Sequence, residues 1–307
     1  MVAGAPRPGA PHVVVIGPTS IDTIVDLDEL PEPAPHTVMA RRWSTQLGGT
    51  SAGKALHLAE AGTDVLLVTT QGDDEQGRHA TRMLTDRGVR VQAVLTDGPA
   101  ERHLNLVAPP GRRLSIYLQP AGEPDPGGVA QARAVLDAEL PGVDAVFLDL
   151  APLALALEPV VTRTDRPVWV DVHDYDGADP FHAPFLAAAD VILMNGDRIG
   201  DAEAFLDAAV RDGRHAAVCT LGPEGALGIA GDGTPVRVDA VPTRVIDTNG
   251  AGDAFAVGML LRALEEGCAD RPMTADELRR CMAAGAAQAA RAISSPGLTP
   301  GLPAWGE

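Results

Sequence analysis

The sequence predicts an α/β domain built on a mainly parallel sheet, and three features predict it. Near-continuous runs of Val, Ile, Leu and Ala recur at residues 12–17, 64–69, 144–148, 167–172, 190–194 and 216–221. Strands buried on both faces require such runs. Helical stretches alternate with them at 51–61, 75–87, 128–139, 202–211, 254–266 and 275–292. The stretch 76–87 is representative: it carries Met83 and Leu84 among charges and stops at Gly88, a residue suited to the position after a helix end. Strand–helix alternation calls for right-handed crossovers, which lay successive strands parallel.

Two stretches break that rhythm. Residues 23–27 and 37–46 read as strands with no helix between them, separated by the Pro-rich segment 31–35. Farther on, 101–108 and 113–119 flank Pro109-Pro110-Gly111-Arg112, a turn-rich link that reads as a hairpin. Such strands have no place in a doubly wound sheet, so they are expected to form a small β-flap over the strand ends. A later hairpin at 226–238, turning at Gly231-Asp232-Gly233, fits the main domain. One domain is therefore expected over 12–302, with lid excursions at about 22–47 and 100–120. Short tails remain at 1–11 and 303–307; the first reads as flexible and lacks a signal-peptide apolar stretch.

Composition narrows the function classes. The 307 residues are 45% hydrophobic and 21% charged, a globular balance, while aromatics at 3% leave the core to aliphatic side chains. The formal net charge of −18 argues against nucleic acid or an anionic membrane as partner, because each phosphate contact needs a Lys or Arg. A nucleotide is still admissible, since one phosphate tail needs only a local nest of backbone N–H groups. Cys219, Cys268 and Cys281 lack metal or redox spacing and read as small core residues of a protein from a reducing cytoplasm. No run approaches the ~20 apolar residues of a membrane helix.

Two glycine segments carry the chemistry. Leu47-Gly48-Gly49-Thr50-Ser51-Ala52-Gly53-Lys54 opens a helix, so backbone can approach a ligand closely and free helix N–H groups face it. Gly48 to Lys54 also satisfies the first part of the phosphate-loop pattern of nucleotide triphosphatases, but Ala55 stands where that motif needs a Ser or Thr for Mg²⁺. A structural turn is the third reading. The second segment is Asp247-Thr248-Asn249-Gly250-Ala251-Gly252-Asp253, followed by a helix with Phe255, Met259, Leu260 and Leu264 at buried-face spacing. Here Gly250, Ala251 and Gly252 present the first helix amides, and the helix dipole favours the charge of a transferring phosphoryl group. Asp253 in the first turn is placed to take a proton from an incoming hydroxyl. Asp residues that merely cap a loop and a helix start are the blander alternative.

The second segment resembles the D-T-x-G-A-G-D signature of the ribokinase-like (PfkB) carbohydrate and nucleoside kinases, and Gly48-Gly49 resembles their N-terminal di-glycine motif. The resemblance covers residues 12–298. It implies a ribokinase-like three-layer α/β/α fold with a β-lid, and ATP-dependent phosphorylation of a hydroxyl with Mg²⁺. Asp253 would be the base, and the amides of Gly250, Ala251 and Gly252 would steady the phosphoryl group. Asp22, Gly48, Gly49 and Asp253 would meet the substrate. Gly53 occupies the place of a family Asn that binds substrate hydroxyls, a departure that bears on specificity. Asn195, Thr220, Gly222, Gly225, Asp247 and Gly285 would border the nucleotide. The family's N-x-x-E motif becomes Asn195-Gly196-Asp197-Arg198, so Asp197 stands in for its Glu toward Mg²⁺ through water. Asp22 as a turn cap, Asn195 as a helix cap, a plain turn after Thr220 and helix packing at Gly285 and Ala286 stay open.

Asp171 and His173 end a strand on the side where α/β sheets bind ligands, with His173 read as a polar rather than a metal-bound residue. Arg41, Arg42, Trp43, Gln46, His103 and Asn105 are lid candidates for substrate contact. The resemblance also allows a monovalent cation (K⁺) near Asp247 and residues 294–297, and a homodimer through the lid. A sugar-like acceptor is favoured by the scarcity of aromatic residues for a base slot; the D-T-N-G-A-G-D form keeps an adenosine-like nucleoside kinase as the alternative. A catalytically inactive ligand-binding homologue is a further alternative, as is the phosphate-loop enzyme.

Overall fold

The computed structural model describes residues 9–109 and 111–301. The tails expected at the two ends fall largely outside these residues, at 1–8 and 302–307, as does Pro110 of the lid hairpin.

The chain begins with β1 (His12–Ile16), whose Val13 to Ile16 are fully buried, and then leaves the main sheet for β2 (Ser20–Asp26) and β3 (Arg42–Gly48). It returns through α1 (Thr50–Glu60), β4 (Asp64–Gln71), α2 (Glu75–Thr85) and β5 (Arg90–Leu95). The second excursion is the hairpin β6 (Arg102–Ala108) and β7 (Arg112–Gln119). Regular alternation resumes with α3 (Pro126–Glu139), β8 (Ala145–Leu148), α4 (Pro152–Val161), β9 (Val168–Asp171), α5 (Ala183–Ala188), β10 (Val191–Asn195), α6 (Ala202–Arg211) and β11 (Ala216–Thr220). An antiparallel hairpin, β12 (Ala226–Ala230) and β13 (Pro235–Val238), precedes α7 (Ala251–Glu266) and α8 (Ala275–Ile293).

Among the described residues the main sheet has the order β13-β12-β11-β10-β9-β8-β1-β4-β5, parallel from β11 to β5 and antiparallel at the β12–β13 edge. Alternate strand residues point to opposite faces. Val13 and Val15 accordingly join the layer of α1, α2, α7 and α8, while Val14 and Ile16 join that of α3, α4, α5 and α6. Three layers result, as expected. The lid is a separate four-stranded sheet in the order β3-β2-β6-β7, so the two stretches that broke the rhythm do pair with each other.

The structure differs from the sequence reading in three elements that periodicity did not reveal. α4 is apolar almost throughout and contains Pro159, so it shows no polar face. α5 is only six residues long. β5 is an edge strand with polar Arg90 and Gln92, which hide the apolar run expected of a buried strand. Within the lid, β3 starts at Arg42, so residues 37–41 are not strand, and β2 starts earlier than expected, at Ser20.

Candidate active site

The lid carries the first half of the site. Register places Asp22, Gln46, His103, Asn105, Ser115 and Tyr117 on one face, because Asp22 pairs with Gln46 and His103, Asn105 with Ser115, and His103 with Tyr117. Asp22 is buried and accepts from Ser20 Oγ at 2.6 Å and from Asn105 Nδ2 at 3.0 Å. Asn105 Oδ1 in turn accepts from Ser115 Oγ at 2.6 Å. The bond from Asn105 is a tertiary contact, so Asp22 is more than a turn cap. His103 lies between Asp22 (3.4 Å) and Glu101 (2.8 Å) with Tyr117 packed on its ring. Burial disfavours its charge, but the bonds to the two carboxylates outweigh that and push the imidazole up to about 9. Of the other lid candidates Gln46 is buried, while Arg41, Arg42 and Trp43 are exposed, the two arginines paired with Asp28 and Asp26; register keeps Arg42 on the Asp22 face and Trp43 on the opposite one.

The start of α1 joins the lid to the main domain. Gly48 lies so close to Asp22 that a Cβ there would sit 2.1 Å from its carboxyl group. Gly49 has φ +94, and a Cβ would meet the Pro18 carbonyl at 2.6 Å. Only glycine fits both demands. One turn on, Gly53 faces Asp253: a Cβ would lie 2.6 Å from Asp253 Oδ2. Asp22 and Asp253 thus flank the first turn of α1, each reached across a glycine.

Asp253 is in the first turn of α7, behind the left-handed Gly250 (φ 73) that caps the helix. Its side chain turns inward. Oδ1 accepts from Lys54 Nζ at 2.9 Å, and the residue is 6% exposed. The amide of Ala251 donates back to Thr248 O at 3.3 Å, so of the three predicted phosphoryl donors this one has a partner, while Gly252 borders open space.

Lys54 is fully buried and meets two further carboxylates, Asp149 at 3.0 Å and Asp171 at 3.4 Å. Asp149 follows the last residue of β8 and also accepts from Ser51 Oγ at 2.7 Å. Asp171 ends β9 and accepts from the backbone of His173 at 3.0 Å. His173 is held at φ 51, the one positive φ among the described non-glycine residues, with its ring 3.4 Å from Asp171. Burial opposes the Lys54 charge, yet Asp149, Asp253 and Asp171 together outweigh it and hold the ammonium above the ordinary lysine range. Burial also pushes Asp253 up, to about 6; Lys54 works against the rise and Asp149 and Asp171 add to it. Asp171, though buried, stays below the usual carboxylate range because His173 and Lys54 favour its charge.

This geometry removes the phosphate-loop reading. Gly53 and Lys54 are inside a helix, and the lysine's charge is spent on three carboxylates with none of it reaching solvent.

The model of the pfkB carbohydrate kinase family matches residues 10–138 and 188–305. The chain belongs to the pfkB family. Two relatives align over nearly the whole chain. The acarbose 7(IV)-phosphotransferase of Actinoplanes is 27% identical over 288 residues, covering 92% of each chain. The nucleoside kinase of Methanothermobacter thermautotrophicus is 24% identical, covering 96% of this chain and 93% of its own. Among solved structures, a microbiome-derived acarbose kinase superposes with a TM-score of 0.76 at 26% identity, covering 94% of each chain. The Giardia lamblia ribokinase gives 0.77 at 17%, covering 96% of this chain and 97% of its own, a likeness of fold. This pfkB kinase is a phosphotransferase with an alcohol group as acceptor.

The remaining candidates of the pfkB kinase line the ends of β10 and β11 and the loop before α7. Asn195 ends β10, and its Oδ1 accepts from the amide of Asp197 at 3.0 Å. It closes a turn there, and the helix that follows, α6, is capped by Asp201 instead. Asp197 and Arg198 are both exposed. Thr220 Oγ1 donates to the Met194 carbonyl at 3.3 Å, joining the two strand ends. Gly222 and Gly225 have φ 57 and 86, and a Cβ at 225 would lie 2.0 Å from the Val238 carbonyl. Asp247 accepts from Asn249 N at 2.9 Å and from Gly297 N at 3.0 Å. Gly285 faces α7, where a Cβ would lie 2.7 Å from the Phe255 carbonyl. It is a helix-packing glycine in this arrangement.

Sequence reading missed Asp149, Glu101 and the pairing of Lys54. Asp149 had a usable signal: it directly follows the apolar run 145–148 at the ligand-binding end of a strand, as Asp171 follows its own.

Proposed function

We propose that this pfkB kinase transfers the γ-phosphoryl group of ATP to a hydroxyl, a primary CH₂OH, of a sugar or sugar-like molecule. The observation that carries the reading is the pair of buried carboxylates flanking the first turn of α1, Asp22 from the lid and Asp253 from the start of α7. Asp22, with Asn105, His103, Gly48 and Gly49, binds the acceptor's hydroxyls; Asp253 Oδ2, beside Gly53, takes the proton of the attacking one. The amides of Gly252 and Asp253 at the positive end of α7 face the charge that develops on the phosphoryl group. Asn195, Thr220, Gly222, Gly225 and Asp247 border the nucleotide along the strand ends. Names of relatives support a sugar-like acceptor: two act on acarbose, and others are ribokinases.

Magnesium fits this site as a companion of the nucleotide. Among the described residues no cluster of three His, Cys, Asp or Glu side chains suits a resident metal ion. A single exposed carboxylate, Asp197, matches an ion that keeps several waters and takes its other oxygens from phosphates. Bound there it neutralises phosphate charge. A monovalent cation near Asp247 and residues 294–297 is part of the proposal; there the Asp247 carboxylate accepts from the amide of Gly297.

A second copy of the chain is proposed to pair through the far face of the lid. Val25, Trp43, Leu104, Leu106, Leu114 and Ile116 alternate with the site-facing residues, and Trp43, Leu114 and Ile116 are exposed. A patch of that kind marks an interaction surface. Ile116→Asp should convert a dimer to a monomer on a sizing column; an unchanged elution volume argues against the lid as the interface.

A coupled assay of MgATP consumption over pentoses, hexoses, aminosugars, pseudo-oligosaccharides, cyclitols and nucleosides tests the activity. The expected result is turnover with a sugar-like acceptor. Turnover with nucleosides alone would replace the acceptor class, and binding without turnover of any acceptor would leave a ligand-binding homologue.

A further inference from the structure

Lys54 takes no part in the proposed transfer, yet it is a fully buried cation paired with three carboxylates. It is fully buried on α1, its Nζ lies 5.9 Å from the centre of the Phe147 ring, and its partners come from three separate elements. Asp149 at the end of β8, Asp171 at the end of β9 and Asp253 at the start of α7 stand within 3.0, 3.4 and 2.9 Å of it. Three carboxylates and one ammonium leave an excess of negative charge in a largely buried space, which only Asp171 and Asp253 open toward solvent. A buried charge is tolerated only when paired, and Lys54 favours the ionised forms of Asp253 and Asp171. Gly53 makes the arrangement possible, because any side chain there would occupy the space of Asp253 Oδ2.

We propose that Lys54 is a positioning residue for the base: its ammonium fixes Asp253 Oδ1 and keeps that carboxylate ionised among Asp149 and Asp171, leaving Oδ2 to accept the proton. This inference rests on the reading of Asp253 as the base.

The groups facing Asp253 give the sign of the effect. From α1 comes Lys54. From β8 comes Asp149, and from β9 Asp171 with His173 beside it. Lys54 is the only one of them acting directly on Asp253 that lowers its proton affinity; burial, Asp149 and Asp171 raise it. A base works in its ionised form, so kcat/KM should rise with pH through about 6 in the wild type. Without Lys54 that rise moves to higher pH. Without the Asp149 charge it moves to lower pH.

The experiment is the pH profile of kcat/KM for Lys54→Met, Asp149→Asn and Asp253→Asn, with circular dichroism as the check on folding. Lys54→Met should shift the rising limb upward by about one unit or more, lose about twofold or more near pH 7, and recover that loss at higher pH. Asp149→Asn, which keeps an oxygen for Ser51 to bond, should shift the limb the opposite way by roughly half a unit. If Lys54→Met does not fold, Lys54→Gln, which keeps a donor for the carboxylates but carries no charge, is measured in its place and should shift the limb the same way. A merely structural lysine would leave the limb of the lysine variant in place, and that result overturns the inference. The two readings fail separately. Wild-type turnover in Asp253→Asn removes the base, whereas an inactive Asp253→Asn beside unmoved limbs removes only the role of Lys54.

Discussion

Asp253→Asn should lower kcat by about 10²-fold or more while the KM for each substrate changes little, since a general base contributes about 10² to 10⁴. The substitution is nearly isosteric. Its amide oxygen can still accept from Lys54, which donates to Oδ1 at 2.9 Å, so the packing of α7 on α1 is preserved. What disappears is the capacity of the second oxygen to hold a proton. The loss should not be recovered at any pH, in contrast to Lys54→Met, because an amide has no ionised form to restore. Steady-state kinetics across the pH range, with the best acceptor from the screen, makes the measurement. A variant that keeps more than about a tenth of wild-type kcat would show that the hydroxyl proton leaves by another route.

The residues behind this prediction were legible to different degrees. Asp253 and the two glycines at 48 and 49 stood out because their chemistry is local: a helix start, a left-handed cap and a close backbone approach leave marks within a few residues. The direction of Asp253 did not. The sequence suggested a carboxylate aimed at an acceptor, and the structure turns one oxygen inward onto a lysine 199 residues away. Nothing around Lys54 announces that pairing, and its neighbours instead imitate a phosphate loop. Gly53 looked like a lost hydroxyl-binding residue; in three dimensions it is the gap that Asp253 fills. The lid illustrates the same boundary. Its strands were visible from turn chemistry, but which side chains face the site depends on pairing register, and register separates His103 and Asn105 from Trp43. Gly285 was ambiguous for a related reason, since a missing side chain can make room for a base or for another helix, and here α7 takes the room.

The contact between Gly48 and Asp22 supplies the second large effect, and it can be approached from both sides. Asp22→Ala removes the carboxylate that Ser20, Asn105 and His103 hold in place. Hydrogen bonds to a charged group are worth about 1.5 to 3 kcal/mol each, so losing one or two to an acceptor's hydroxyls should lower kcat/KM by about 10²-fold. Most of that loss should fall on the acceptor KM, because these bonds form on binding and persist in the transition state. Gly48→Ala should reproduce the result without removing any polar group: its methyl would sit 2.1 Å from the Asp22 carboxyl and must displace it. Once the carboxylate has been moved, deleting it should cost little more. The double variant is therefore expected to lose about as much as either single one, a clear departure from additivity. Two losses that multiply would mean that Gly48 and Asp22 act on the acceptor independently. A Gly48→Ala enzyme with an unchanged acceptor KM would remove Asp22 from the substrate site.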